Sequence, residues 1–181
     1  MISGFPYFYL ENGFKLRQID PYNDSKFFRE YITDEEVSAF IAEDSVPKNI
    51  DAAIAELSYW GGLYNTGRGY YWAIANENNE IIGTAGFNSI SFQHMRGEIS
   101  YDLSRKYWGK GVMSMALSQI LNFAFLTLEL VRVQATVGKD NMRSIFLLER
   151  LNFIREGSLA KYEKLQNKHL DFYMYAITRN L

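Results

Sequence analysis

Cysteine is absent from all 181 residues. That removes disulfides, thiolate-held zinc and a cysteine nucleophile together, and it fits a reducing cytoplasm. Histidine occurs only as His94 and His169, far apart and in no H-E-x-x-H arrangement, so no metal site is expected. An excess of positive charge is also missing. The net charge is -2, which argues against nucleic acid as a partner, since that mode rests on a surplus of lysine and arginine. No stretch approaches the roughly 18 uninterrupted apolar residues of a membrane span. Residues 1–10 lack a basic segment followed by a continuous apolar run, so no secretory signal is expected.

What is present is an ordinary globular composition. Hydrophobic residues make up 48% and charged residues 22%, which excludes disorder as the default. Aromatic residues are plentiful at 16%; the expectation is that most fill core, with a few of Trp60, Trp72 and the tyrosines at 70, 71, 162, 173 and 175 lining a groove. The length suits one well-buried core, and residues 1–181 read as a single domain.

Periodicity divides the chain. Residues 14–19 read as a strand, and Asp24-Ser25 as the cap of a helix running to about Ile32, followed by a short turn at Asp34-Glu35-Glu36. Pro47 marks a loop before a helix over 51–63 that stops at Gly61-Gly62. Residues 70–76 and 81–88 form a hairpin around a polar turn, and 96–103 is the next strand. A helix over 112–128 carries Met113, Ala116, Leu117, Ile120, Ala124 and Leu128 at helical spacing. Residues 131–137 alternate as a half-buried strand, and 141–151 place Ile145, Leu148 and Leu151 on one helix face, with Asn152 at the left-handed stop. Two final strands, 153–160 and 172–177, flank a polar 163–168 segment. The order is a mixed α/β pattern.

Between the 96–103 strand and the 112–128 helix lies Ser104-Arg105-Lys106-Tyr107-Trp108-Gly109-Lys110-Gly111-Val112-Met113. Helix starts leave backbone N–H groups unpaired and carry partial positive charge, which suits a diphosphate. Gly109 and Gly111 permit a tight turn, and Arg105, Lys106 and Lys110 raise the local potential. The Walker pattern is not met: Gly62 to Gly69 lacks the lysine and hydroxyl, and reads as a link between helix and strand. The dinucleotide pattern fails at Ser114, where a third small residue is required. A nucleotide-like ligand on a single Gly-x-Gly turn remains.

Tyr107-Trp108-Gly109-Lys110-Gly111 resembles the coenzyme A loop of the GNAT superfamily of N-acetyltransferases. Asn141-Met142-Arg143-Ser144, Leu148-Glu149-Arg150-Leu151-Asn152-Phe153, Glu156-Gly157-Ser158-Leu159 and Asp171 follow in the order of its RimJ/RimL branch. The resemblance spans roughly 14–177 and implies a mixed, mostly antiparallel sheet flanked by helices. It implies acetyl-CoA as co-substrate, held by the N–H groups of Trp108, Gly109, Lys110, Gly111, Val112 and Met113, by the backbone of Leu103, and by Asn141 and Arg150. Asn141 reads equally as a helix cap, and Arg150 as a solvated residue at a helix end.

The resemblance also assigns chemistry. An attacking amine must be neutral, and Glu98 stands where the branch often has a glutamate facing the acceptor, so it is the candidate base; it reads equally as a solvated strand residue. Leu148 occupies the position at which many GNAT enzymes carry a tyrosine acid. Ser144 is the candidate donor to the leaving thiolate, against a plain helix-start role. The implied function is acetylation of a primary amine by direct attack in a ternary complex, the amine being a protein N-terminal α-amine or a small molecule such as a polyamine or aminoglycoside. The rival is a non-catalytic CoA-binding sensor or interaction module, to which Leu148 lends weight. Monomer and homodimer both stay open.

Overall fold

Trp72 and Ile74 point to one side of a strand and Tyr71 and Ala73 to the other, and all four are buried. A strand apolar on both sides must be covered on both sides. This strand is β3 (Tyr70–Ala75), near the middle of an eight-stranded sheet. The computed structural model describes residues 4–165 and 167–179. The other strands are β1 (Phe8–Tyr9), β2 (Lys15–Gln18), β4 (Ile81–Ser91), β5 (Arg96–Leu103), β6 (Arg132–Gly138), β7 (Ile154–Leu165) and β8 (Lys168–Thr178). Their order is β1-β2-β3-β4-β5-β6-β8-β7, with β5 and β6 the parallel pair among antiparallel neighbours.

Among the described residues five α-helices cover the two faces: α1 (Pro21–Ile32), α2 (Glu35–Ser38), α3 (Ile50–Gly62), α4 (Val112–Asn122) and α5 (Met142–Arg150). Phe28, Tyr31, Val37, Ala53 and Leu57 from the first three pack on Ile19, Tyr71, Ala73 and Ile81. On the other face Met113, Leu117, Ile120, Ile145 and Leu148 close over Trp72, Ile74, Phe87, Ile99 and Val133. Each face is thus one side of the strand period matched to one stripe of a helix. Among the described residues no helix is long and apolar enough to cross a membrane.

Several boundaries differ from the sequence expectation. The first helix is capped by Asp20, whose side chain accepts from Asn23 N at 3.2 Å, and not by Asp24-Ser25. Pro21 takes the first helical position, where a missing N–H costs nothing. Asp24 lies inside the first turn, in a bidentate pair with Arg17 at 2.8 and 2.6 Å. The 112–128 helix is regular only to Asn122. It then widens into a π turn over Phe123–Thr127, closed by Leu128 N to Phe123 O at 3.0 Å. The wider turn leaves Phe123 against the rings of Phe8, Tyr70 and Trp72. Within the polar 163–168 segment Glu163, Lys164, Leu165 and Lys168 are strand, because β7 and β8 stay paired down to Leu165 and Lys168. Asn152 adopts the expected left-handed conformation, φ 65°.

Candidate active site

The parallel pairing of β5 and β6 covers only three residue pairs, Arg96 with Arg132, Gly97 with Val133 and Glu98 with Gln134. Beyond them β5 stays with β4 as far as Leu103, and β6 stays with β8 as far as Gly138. The strands part, and the edges they turn to each other carry unpaired backbone groups along a wedge. An opening in the middle of a sheet is a place where a ligand can supply the missing partners.

A cleft of about 540 Å³ and a cavity of about 510 Å³ adjoin this wedge. Four residues line both: Phe40, Tyr101, Asn141 and Ser144. The larger cleft is bordered by Leu103, Trp108, Gly109, Gly111, Val112 and Met113, with Arg143 and Arg150 opposite. The smaller cavity is bordered by Glu98, Glu163, Asp140 and Asp171, together with Lys139. Lys139 is paired with Asp171 at 2.9 Å, which leaves the cavity weighted toward negative charge.

Gly109 and Gly111 both have positive φ, 72° and 77°, the region that glycine enters without penalty. Nothing lies within 4 Å of where a Cβ would stand at either one, so a ligand can approach the backbone. The first bond of α4 runs from Met115 N to Gly111 O, so the N–H groups of Val112, Met113 and Ser114 precede the helical ladder. Trp108 departs from expectation: its N–H is already donated to Arg105 O at 3.1 Å. Its indole N–H donates to the Leu103 carbonyl at 2.8 Å, which leaves that carbonyl one further lone pair. Lys110 is exposed over the Tyr107 ring and does not border the cleft. Arg105 and Lys106 are engaged by Glu36 and Glu30. The cations facing the cleft are Arg143, stacked 4.2 Å over Trp108, and Arg150. A cleft of this size, with free N–H donors, open glycines and two guanidiniums, fits a CoA-sized polyanion.

Asn141 both caps α5 and borders the ligand space: its Oδ1 accepts from Ser144 N at 3.2 Å. Ser144 Oγ lies 2.6 Å from Tyr101 Oη. Leu148, one turn further along, is fully buried in the core and faces away from the cleft. Tyr101 was not marked by any sequence motif. Its hydroxyl is pushed up to about 12 by burial, partly offset by the bond to Ser144.

Glu98 accepts from Gln134 Nε2 at 3.2 Å. Along β5, Ile99 and Leu103 belong to the core under α4 and α5, whereas Ser100 bonds Tyr71 and Asp102 bonds Tyr31 on the other face. By strand alternation Glu98 shares that second face, opposite Tyr101. It borders the same cavity as Ser144 because the wedge connects the two sides. Glu163 is a second carboxylate there that the sequence did not single out. Burial first, and then the charge of Glu98, hold its carboxyl above the usual range. Asp171 is held low by the Lys161 N–H and by Lys139. Both histidines are exposed. Glu156, part of the family-like pattern, forms a bidentate pair with Arg132 at 2.8 and 2.6 Å and does not border either space.

Residues 14–154 match the sequence profile described as an acetyltransferase (GNAT) domain. The uncharacterized N-acetyltransferase p20 of Bacillus licheniformis is 42% identical over 106 residues, covering 59% of this chain and 60% of that protein. The uncharacterized N-acetyltransferase YoaA of Bacillus subtilis is 31% identical over 165 residues, covering 91% and 92%. The ribosomal protein uS5 alanine N-acetyltransferase of Escherichia coli is 28% identical over 130 residues, covering 68% and 65%. Among solved structures, RimL, a ribosomal L7/L12 α-N-protein acetyltransferase in complex with coenzyme A, superposes with a TM-score of 0.85 at 20% identity, covering 96% and 98%.

Proposed function

The chain belongs to the GNAT family of acetyltransferases, which use acetyl-CoA, and from that premise we propose that it acetylates a protein N-terminal α-amine by direct attack with both substrates bound. The observation that carries this is the meeting, at Tyr101 and Ser144, of a cleft holding N–H groups outside the helical ladder and two guanidiniums with a cavity weighted toward carboxylates. Acetyl-CoA lies in the cleft with the cations and free N–H groups, and supplies the activated acetyl group. The amine enters the carboxylate-lined cavity, where an ammonium is favoured.

An α-amino group has a pKa near ~7.7–8.0 and a lysine side chain near ~10.4, so near neutral pH the former is far more often in its attacking form. That preference, with the E. coli relative's being an N-acetyltransferase of an alanine of ribosomal protein uS5, supports an α-amine over a side chain. Glu98 removes the proton in this scheme. Glu163 shares the task, its raised carboxyl sitting nearer the working pH of a base. Unpaired N–H groups on the β6-facing edge of β5 polarise the acetyl carbonyl. Ser144 gives the leaving sulfur its proton. The cofactor contacts fall to Leu103, Gly109, Gly111, Val112 and Met113 through their backbones, and to Trp108, Asn141 and Arg150, whereas Lys110 stands outside the cleft.

CoA release is the direct test, and a chain without cysteine contributes no thiol background. Peptides with a free N-terminal alanine or serine are expected to release CoA and gain one acetyl group by mass, whereas the same peptides already N-acetylated release none. Release with polyamines or aminoglycosides but with no peptide would overturn the α-amine assignment. Acetyl-CoA binding without release across the whole panel would favour a sensor. Glu98→Gln and Glu163→Gln divide the base role: the one that lowers kcat/KM and leaves only the amine's own ionisation in the acidic limb is the base.

A further inference from the structure

We propose that Tyr101 is a positioning residue for the departure of the thiol: it orients the Ser144 hydroxyl and restores the proton that Ser144 gives up. The inference rests on the reading of Ser144 above and extends it by one residue.

The geometry leads to it. Tyr101 stands on β5 beyond the last β5–β6 pair, and Ser144 in the first turn of α5, 43 residues later. Their oxygens meet at 2.6 Å across the parted strands. Ser144 N is fixed by Asn141 Oδ1, so the first turn of α5 is held while the hydroxyl turns toward Tyr101. Both residues border both spaces. The helical position where a tyrosine would serve as acid is filled by Leu148, buried in the core. A phenol is therefore brought to the same place from a strand.

Chemistry makes the pair more useful than either member. An aliphatic alcohol is a far weaker acid than a thiol of pKa ~8.5, so a serine that protonates a thiolate unaided is left as a costly alkoxide. A phenol within 2.6 Å lowers that cost, since its proton follows and a phenolate is a far weaker base than an alkoxide, until solvent returns the proton. Burial keeps the phenol protonated at any working pH, which a donor requires. The balance closes. As the acetyl C–S bond breaks, sulfur takes the Ser144 proton, Ser144 Oγ takes the Tyr101 proton, and solvent in the cleft returns one to Tyr101. The proton lost by the amine leaves through the carboxylates of the other cavity.

Two readouts test this in the full chain. With 13Cζ-labelled tyrosine, the resonance that disappears in Tyr101→Phe is followed on addition of CoA and of desulfo-CoA, which lacks the sulfur. It should shift differently with the two, and the difference should vanish in Ser144→Ala. An identical response to both ligands overturns the proposal. If neither ligand binds, the coenzyme reading falls first and this inference with it, a result distinct from binding without a sulfur-dependent shift. The second readout is kinetic. Tyr101→Phe and Ser144→Ala should each lower kcat roughly ten- to a hundredfold with the acetyl-CoA KM little changed, and the double variant should lose no more than the worse single one. Losses that multiply would show two independent residues and overturn the relay.

Discussion

Glu36 reaches from α2 to Arg105, one carboxylate oxygen lying 2.7 Å from the guanidinium, while its other oxygen stands 3.5 Å from Arg143. Glu36 and Arg143 both border the larger cleft. An entering phosphate competes with Glu36 for Arg143. Exposed pairs of this kind are worth ~0.2–1 kcal/mol, so Glu36→Gln should tighten CoA binding by up to roughly fivefold at low salt. Calorimetry at low and high ionic strength checks it, and the gain should fade as salt screens the charges.

Gly111 and Gly86 should respond differently to alanine. At Gly111 the added Cβ meets open space, so the cost is the left-handed backbone alone, about 1–2 kcal/mol, or a Tm lower by roughly 2–8 °C. At Gly86 the Cβ would stand 2.2 Å from the Tyr70 carbonyl oxygen, inside the β3–β4 ladder. Gly86→Ala is therefore expected to give little folded protein, and Gly111→Ala a folded one, as thermal melts will distinguish.

Asp102 is the pH-sensitive group beneath the cleft. It accepts from Tyr31 Oη and Thr84 Oγ1, each at 2.6 Å, yet burial outweighs these bonds and pushes its carboxyl up to about 6. The folded chain keeps this proton between about pH 4 and pH 6, where the unfolded chain has released it. Its contribution to stability therefore falls as pH rises through that window and is level above it. Asp102→Asn removes the term. From pH 4 to 7 the wild type should lose up to ~3 kcal/mol relative to the variant, measured by denaturant melts at each pH.

Arg17 ties the start of α1 to the sheet. Its guanidinium holds Asp24 and also donates to the Asn79 side chain and carbonyl in the β3–β4 turn. The pair is almost fully buried, at 11% and 4% exposure of the two side chains. Arg17→Met leaves a buried carboxylate without its partner, which costs ~3–5 kcal/mol. A Tm lower by roughly 6–20 °C is expected, with the change at Arg132–Glu156, a more exposed pair, much smaller.

Local pattern carried most of the fold. The alternation Val133, Ala135, Val137 is buried as its period demands, and β5 runs over the expected 96–103. Two-residue β1 offers too short a period to read, and the cap expected at Asp24-Ser25 lies inside α1, which Asp20 caps and Pro21 begins. The tight pairing of β7 with β8 carried both strands through residues whose polarity suggested a loop, because the exposed β7 edge needs no apolar face.

The Gly109-x-Gly111 turn was set by sequence alone, since only residues without a Cβ take those φ values freely and the helix that follows must leave its first N–H groups unpaired. The amino-acid order also determined that cations cluster near that turn. Which of them face the ligand was decided by the tertiary structure: Arg105 and Lys106 turn to glutamates on α2 and α1, and Arg143 and Arg150 arrive from α5. The parting of β5 from β6, and the meeting of Tyr101, Ser144, Glu98 and Glu163 around it, are likewise tertiary. Local periodicity reports only which way a side chain points along its own strand or helix. It carries no record of where two neighbouring strands cease to bond, and the site lies at that point.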